Sequence, residues 1–216
     1  GQEVEADAFV VAMDRFRAAE WLGEPETRRP SYSYFTVHYG VREELPQLAH
    51  HSLIVPEHFE LGFDALYDRR EFPDPPIVYL NNTSLIDPTT APRGRTNLFA
   101  VVTTPAQEDH LDWGLLEREG REAVDAALRT IGVDVMKLGT DFVRIQSPRY
   151  FAETHENYRG TLYGLDEAHR LFRGLMPYGN CDPRFTNLAY AGGAVQPGAG
   201  LPMATLSGQF AVEALR

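Results

Sequence analysis

The sequence has a single cysteine, Cys181, and no long run of apolar residues. One cysteine excludes an internal disulfide and any metal site built from several cysteines. The longest apolar runs are far shorter than the roughly 20 residues that a membrane-spanning helix needs. No basic segment followed by an apolar stretch marks a signal peptide. We therefore expect a soluble, cytoplasmic protein that holds no metal.

Basic residues are scarce as well, because 20 Lys and Arg stand against 31 Asp and Glu, for a net charge of −11. Nucleic-acid binding depends on clustered Lys and Arg, and electrostatic membrane anchoring depends on polybasic segments. The charge balance argues against both. The 216 residues, 43% of them hydrophobic, are enough for a sizeable core in one or two domains.

Strand patterns and helix patterns follow one another along the chain without strict alternation. Period-two or continuous apolar runs predict strands, whereas apolar residues three and four apart predict helices. This arrangement predicts a mixed α/β or α+β fold. The predicted strands lie within 4–13, 31–41, 52–55, 76–81, 97–103, 142–145 and 186–193, and the predicted helices within 14–22, 57–69, 114–132 and 203–215.

The first predicted strand has no neighbour upstream. Val4, Ala6 and Ala8 alternate with acidic residues, and an apolar run from Phe9 to Met13 follows. Such a run is typical of a strand that is covered on both faces and therefore needs neighbouring strands. We expect the chain to begin part-way through a larger protein, although a domain that opens with a strand is a common alternative.

The segment with the most chemical content is 187–216. A strand pattern leads into Gly192 and Gly193, then into a glycine- and proline-rich turn, then into a helix that starts near Pro202. Glycine lets the backbone approach a ligand closely, and a helix N-terminus offers unpaired N–H groups to electron-rich oxygens. A strand, a glycine turn and a helix are equally the ordinary connection in α/β proteins, so the pattern alone does not decide.

Several motifs occur along the chain in a fixed order. They read N-L-A-Y-A-G over 187–192, Q-P-G-A-G-L-P over 196–202, L-S-G over 206–208, L-A-H-H-S over 48–52, and the pairs D-P and A-P within 83–94. Together these motifs resemble those of the bacterial phytoene desaturase family, within the FAD-dependent amine-oxidoreductase group. The resemblance extends over nearly the whole chain.

The same family carries a G-x-G-x-x-G dinucleotide fingerprint near its N-terminus, which these 216 residues do not contain. The resemblance therefore implies that the chain corresponds to the C-terminal half of a family member. Two positions depart from the family pattern. Gln196 stands where the family has histidine, and Met203 stands where phytoene desaturases often have glycine. A proline followed by Met203 is closer to the hydroxycarotenoid 3,4-desaturase branch.

The resemblance implies a Rossmann-like FAD-binding domain and a substrate-binding domain. Residues 1–27 and 180–216 would belong to the incomplete FAD-binding domain, and residues 28–179 would form the substrate domain, a mixed sheet with helices. The implied cofactor is FAD. The residues that would contact it are Gly192, Gly193 and Ala194, of which Gly193 would lie near the pyrophosphate, and Gly200, Leu201, Pro202 and Met203, which would lie near the flavin ring.

The implied activity is carotenoid desaturation, with hydride transfer from a polyene C–H to flavin. Asp64 aligns with a family aspartate that is proposed to assist proton transfer, although an exposed helix aspartate without a role is the alternative. Because a polyene partitions into lipid, we expect peripheral docking on a membrane surface. Strand aromatics would line an apolar tunnel or pack in the ordinary core, namely Tyr32, Tyr34, Phe35, Tyr39, Tyr79 and Phe99.

Two other functional classes stay open from the sequence. One is another flavoenzyme of the same group, such as a carotenoid isomerase or an amine oxidase, although we identify no aromatic cage of the amine-oxidase kind. The other is a non-catalytic module that binds carotenoid or a partner chain. The expected partners are the polyene, a membrane surface and the missing N-terminal FAD-binding half, but not nucleic acid.

Overall fold

The computed structural model describes residues 3–166 and 179–216. These residues divide into two compact units, unit 1 (residues 3–32, 152–166 and 179–216) and unit 2 (residues 33–151). The strands are β1 (Phe9–Val11), β2 (Tyr32–Val41), β3 (His51–Ile54), β4 (Val78–Asn82), β5 (Thr96–Pro105), β6 (Thr140–Gln146) and β7 (Leu188–Tyr190). The helices are α1 (Arg15–Trp21), α2 (Phe59–Phe63), α3 (Trp113–Thr130), α4 (Val135–Leu138), α5 (Pro148–His155) and α6 (Leu201–Ala214).

Unit 2 is built on a five-stranded sheet in the order β3-β4-β5-β2-β6. The pairs β3 with β4, β4 with β5, and β2 with β6 are antiparallel. Burial alternates along β4 and over most of β5, as expected where successive side chains point to opposite faces of a sheet. The sheet therefore presents two separate surfaces, and each one has its own cover.

One surface of this sheet packs against α3 to form the core of unit 2. Val124 and Leu128 of α3 are fully buried, which confirms part of the predicted apolar face. The helix approaches closely because Gly120 has no side chain, and a Cβ there would lie 3.0 Å from the ring of Phe72 and 3.1 Å from that of Phe35. Ile131, predicted on the same face, is 38% exposed because it is the cap beyond the last turn.

Most of the segment 59–77 lies against the other surface of the sheet, whereas Phe72 packs into the core with α3. The predicted helix over 57–69 is α2 followed by a π-helical turn, Asp64–Arg69, which ends at Arg70 in the left-handed conformation. Arg70 is 1% exposed, and its Nε donates to Oε1 of Glu108 at 3.0 Å. This buried ion pair fixes the end of the covering segment beside the residues that follow β5.

Unit 1 contains a two-stranded sheet in which β1 and β7 run parallel. The long strand predicted over 4–13 is shorter than expected, because only Phe9–Val11 pairs. Phe9 and Val10 are 40% and 44% exposed, so the described residues do not cover this strand on both faces, and the cover expected from further neighbours stays a prediction. Among the described residues β7 is its one neighbouring strand.

The mixed α/β class predicted from the sequence is confirmed. The functional boundaries predicted at 27 and 179 fall at other positions than the limits of the two units, and the functional assignment of each segment stays a prediction. Within residues 3–166 and 179–216, no helix is long and apolar enough to cross a bilayer.

Candidate functional site

The two parallel strands of unit 1 end at the same edge of their sheet, and a cavity of about 390 Å³ lies there. Residues 12–15, which follow β1, line one part of it, and residues 191–195, which follow β7, line another. In open α/β sheets, ligands bind outside the carboxyl ends of the strands. The topology therefore makes this cavity a candidate site for a small molecule.

The turn after β7 lies beside this cavity and carries backbone donors without a partner among the described residues. Gly193 and Ala194 belong to its lining, and their N–H groups donate no hydrogen bond within the described part of the chain. Gly192 has a φ of 134°, which side-chain-bearing residues rarely adopt, and an added Cβ would meet no atom within 4 Å. The turn thus needs glycine for its backbone conformation, and the space beside that glycine is open.

The N–H of Gly192 is not one of the free donors, because it is bound to Oγ of Ser207 at 2.7 Å. Ser207 is fully buried on α6, and its hydroxyl donates in turn to the carbonyl of Ala204 at 2.6 Å. Ser207 therefore ties the glycine turn to the helix. Its place in the L-S-G motif pointed to it, but the sequence did not show this hydrogen bond.

Asn180 is a second residue that holds the turn in place, and sequence analysis did not identify it. Its side chain is buried, and Nδ2 lies 3.0 Å from the carbonyl oxygens of Tyr190 and Gln196 and 3.3 Å from that of Ser207. One amide thereby joins the end of β7, the turn and α6. The only sequence signal was an asparagine a few residues before a buried strand, which is too common to single out.

The start of α6 lies outside the lining of the cavity. Gly200 is the N-cap residue, no side chain caps the first turn, and Pro202 occupies its beginning. The N–H groups of such an uncapped turn are unsatisfied. Leu201 is 85% exposed and Met203 is 41% exposed. The structure therefore groups Gly192, Gly193 and Ala194 around the cavity, while Gly200, Leu201, Pro202 and Met203 stand apart as an open helix start.

Charged residues surround the same edge of unit 1. Asp14 lines the cavity and caps α1 by accepting hydrogen bonds from the N–H groups of Phe16 and Arg17, while burial raises the pKa of its carboxyl. The guanidinium of Arg15, another lining residue, lies 5.0 Å above the ring of Tyr190 and donates to the carbonyl of Gly179. Arg15 thus brings a fixed positive charge to the cavity.

Hydrogen bonds among Asp182, Arg184 and Tyr190 hold the side chain of Tyr190 on β7. Both side-chain oxygens of Asp182 accept hydrogen bonds from Arg184, and Oδ2 also accepts from the hydroxyl of Tyr190 at 2.7 Å. These donors, with Arg184 first, hold the pKa of Asp182 well below its usual range. Burial, together with Asp182, raises the pKa of Tyr190 to about 12. These contacts keep Tyr190 neutral and β7 in place.

Unit 2 has its own cavity, of about 500 Å³, between the sheet and the covering segment. Of the aromatic residues predicted to line a tunnel, Tyr34, Tyr79 and Phe99 do so. Phe35 and Tyr39 lie in the core with α3, because strand neighbours alternate between faces, and Tyr32 is not part of the lining. The other lining residues are Leu53, Phe59, Gly62, Phe63, Leu66, Tyr67, Pro73, Ile77, Val101 and Thr103.

Asp64, the predicted aid to proton transfer, lies at the start of the π-helical turn. Its side chain is exposed, and it makes no hydrogen bond or ion pair with the described residues. It is not part of the lining of the apolar cavity, although its neighbour Phe63 and the nearby Leu66 are. In the described residues no group of three His, Cys, Asp or Glu is placed to hold a metal ion.

The chain is similar to part of a solved oxidoreductase from Methanosarcina mazei. The TM-score is 0.53 at 14% identity, and the match covers 98% of this chain and 43% of that one. At this identity the likeness concerns the fold alone. No protein-family model matches the chain.

Curated relatives match nearly the whole chain. It is 28% identical to a 4,4'-diaponeurosporene oxygenase of Staphylococcus aureus and 27% identical to a 1-hydroxycarotenoid 3,4-desaturase of a Flavobacterium, and each match covers 97% of this chain. The chain covers 44% of each relative, so it spans about half the length of the curated relatives it matches. These relatives confirm the predicted resemblance to carotenoid desaturases, and the share they match fits one half of such a protein.

Proposed function

We propose that this chain is the substrate-binding part and the final cofactor-contacting part of an FAD-dependent carotenoid desaturase. The observation that carries the proposal is the turn Gly192–Ala194, which lines a cavity at the carboxyl edge of a parallel sheet and in which the N–H groups of Gly193 and Ala194 have no hydrogen-bond partner among the described residues. The similarity to two enzymes named for carotenoid substrates supplies the substrate class. The activity is that of an oxidoreductase in carotenoid biosynthesis.

The donors at this edge fit a flavin nucleotide. Backbone N–H groups and the guanidinium of Arg15 suit anionic phosphate oxygens, and the uncapped start of α6 suits an electron-rich carbonyl edge. A cavity of about 390 Å³ holds only part of a dinucleotide. We therefore propose that the G-x-G-x-x-G unit of a Rossmann-like domain comes from a further segment or chain, the N-terminal half of the flavoprotein.

The residues of unit 2 would hold the polyene. When bound, the flavin would accept the hydride that leaves a polyene C–H. The chain's own share of the reaction is to bind and orient the substrate, and the apolar cavity does this by shielding it from water. Lining residues such as Phe63, Leu66 and Val101 offer dispersion contacts without hydrogen bonds to satisfy.

Asp64 is the proposed aid to proton transfer. Its exposed carboxylate has no competing partner among the described residues. It also lies on the same turn as Leu66 and Tyr67, which line the cavity. A group that accepts a proton must stay accessible to the leaving hydrogen. In turnover assays with the reconstituted enzyme, Asp64→Asn is expected to lower kcat, and an unchanged kcat would remove Asp64 from the mechanism.

We also propose that the protein docks peripherally on a membrane from the cytoplasmic side. A polyene is dissolved in lipid, and its enzyme must take it from there. The exposed fractions of the apolar residues around the cavity of unit 2 support such a surface: Leu53 is 60% exposed, Phe59 43%, Leu61 50% and Tyr67 50%. Sedimentation with vesicles of neutral lipid would test it, because the net charge of −11 disfavours anionic lipid.

A non-catalytic carotenoid-binding module is the second candidate. The observation that favours it is the apolar cavity of unit 2, which is formed by residues of that unit alone and could hold a polyene without a cofactor. Titration with FAD, followed by flavin fluorescence, separates the two candidates when it is done on the chain together with its proposed N-terminal half. The desaturase proposal expects saturable binding that Gly192→Ala weakens and Gly208→Ala leaves intact. No binding in excess FAD, combined with retention of a polyene, would favour the module.

A further inference from the structure

Two polar side chains lie beside the apolar cavity of unit 2 on the same surface of the sheet. The row Leu53, Tyr79 and Val101 spans β3, β4 and β5 and lines the cavity. The next row on that surface is His51, Asn81 and Phe99, two residues along each strand, and of these Phe99 also lines the cavity. His51 and Asn81 therefore place polar groups next to the Tyr79 end of the lining.

Hydrogen bonds connect these polar groups to the cavity through Tyr79. Its hydroxyl lies 2.7 Å from Nδ1 of His51. Nδ2 of Asn81 lies 3.2 Å from the same Nδ1 and 3.4 Å from the carbonyl oxygen of His50. Because a carbonyl only accepts, the Asn81 amide nitrogen faces both groups as a donor. Oδ1 of Asn81 in turn accepts from the hydroxyl of Thr83.

The shorter of the two contacts to Nδ1 of His51 is the one with the hydroxyl of Tyr79. This hydrogen bond orients the Tyr79 hydroxyl with either tautomer of His51, because a phenol can donate to a ring nitrogen or accept from a ring N–H. In both cases the oxygen of Tyr79 keeps a lone pair for a further donor. The chain thus holds an oriented hydroxyl in the lining of a mostly apolar cavity.

We propose that Tyr79, oriented by His51, selects polyenes that carry a hydroxyl group at the end held in this cavity. The inference rests on the proposed polyene substrate. A ligand hydroxyl would donate to the oxygen of Tyr79, whereas a hydrocarbon end would leave that lone pair without a donor once water is excluded. Tyr79 is therefore a specificity-determining residue, and the oxygenated end group is what it recognises.

The test compares two matched ligands, lycopene and lycopene with one terminal hydroxyl, partitioned from detergent micelles onto the 216-residue chain. Bound polyene is measured by its visible absorbance after gel filtration. The wild type is expected to prefer the hydroxylated polyene by about fivefold, the ratio that one net hydrogen bond gives. Tyr79→Phe is expected to bind both polyenes equally. His51→Leu, which leaves the Tyr79 hydroxyl unoriented, is expected to show a reduced preference.

Thr103→Val is the matched control, because it removes another hydroxyl from the lining of the same cavity without touching the His51 row. It is expected to keep the wild-type preference. A preference that survives Tyr79→Phe, or a wild type that binds both polyenes equally, would overturn the role of Tyr79 while leaving the cavity as a polyene site. A wild type that binds neither polyene would overturn this inference and the proposed substrate together.

Discussion

The two units differ in how far they bury their own apolar residues. Unit 2 has a continuous core between its sheet and α3, which includes Val37, Leu98 and Leu128 at 0% exposure. Unit 1 has a core cluster of four buried residues, Ala18, Leu188, Tyr190 and Val195. Its strand β1 and helix α6 leave large apolar side chains exposed, among them Val10, Leu206 and Phe210. Unit 2 also exposes large apolar side chains, among them Leu53 and Leu61, so the difference between the described parts of the two units lies in the size of the buried core.

Because of this difference, the larger buried core and the proposed cofactor site lie in different units. The well-packed unit carries the apolar cavity, whose shape depends on a rigid sheet. Unit 1, which has the smaller core, carries the glycine turn. Hydrogen bonds of Ser207 and Asn180 hold this turn in place. Regions with few buried apolar contacts open more readily. Hydrogen exchange measured by mass spectrometry follows peptides of each unit separately, so it suits the comparison.

The largest expected effect is in the core of unit 2. Leu128→Ala removes a fully buried side chain and is expected to cost about 3 kcal/mol of unfolding free energy. Phe9→Ala in unit 1 removes a side chain that is 40% exposed and is expected to cost less than about 1.5 kcal/mol. Exchange rates of peptides from each unit, measured in denaturant, give both values. Equal costs would contradict the contrast between the units.

The next effect concerns the glycine turn. Gly192→Ala forces a side chain into a φ of 134° and is expected to cost about 2 kcal/mol in unit 1. Gly208→Ala is the control, since Gly208 lies inside α6 with open space for a Cβ and alanine there is expected to stabilise the helix by about 0.5–1 kcal/mol. Urea-dependent exchange of peptides within 187–216 measures both changes. A neutral Gly192→Ala would show that the turn does not require glycine.

Acid is expected to weaken unit 1 through Asp182. Hydrogen bonds from Arg184 and Tyr190 lower the folded-state pKa of Asp182 below its ordinary value of 3.8. Its contribution is therefore complete above that value and is lost as the pH falls toward the depressed folded-state pKa. Asp182→Asn should lower stability near neutral pH and flatten its decline in acid. A variant that declines as steeply as the wild type would contradict this origin.

The smallest expected effect on stability is that of Asp64→Asn. The side chain is exposed and makes no ion pair among the described residues, so the unfolding free energy should change by less than about 0.5 kcal/mol. Denaturation of the variant beside the wild type measures this. The result matters because it allows any loss of turnover in Asp64→Asn to be assigned to chemistry. A large loss of stability would remove that assignment.

The seven strands and the helices α1, α2, α3 and α6 were predictable from the sequence, because apolar periods of two and of three to four are local properties, but the short helices α4 and α5 were not predicted. The sequence offered the strand aromatics as either tunnel lining or core, and it could not separate Tyr34, Tyr79 and Phe99, which line the cavity, from Phe35 and Tyr39, which lie in the core. Adjacent strand residues point to opposite faces, and which face is the core depends on where α3 packs. Which face α3 covers depends on tertiary packing, so it could not be predicted from the local sequence pattern.

The candidate site, too, depends on tertiary contacts that the local sequence pattern does not predict. The glycine turn after β7 was visible as a motif, yet the loss of the Gly192 donor to Ser207 depends on how α6 packs behind the turn. Asn180 and the pair His51 and Tyr79 act through partners distant in sequence or across strands. Side chains of this kind carry no periodic signal, and only the assembled register brings them together.

The most direct test of the central claim is hydrogen exchange of the turn with and without FAD. The account predicts that saturating FAD slows exchange in peptides that contain Gly193 and Ala194, because their free N–H groups gain acceptors. Peptides from the five-stranded sheet of unit 2 should be unaffected. Exchange at residues 191–196 that is unchanged by FAD, or protection confined to unit 2, would contradict the assignment of this edge to the cofactor.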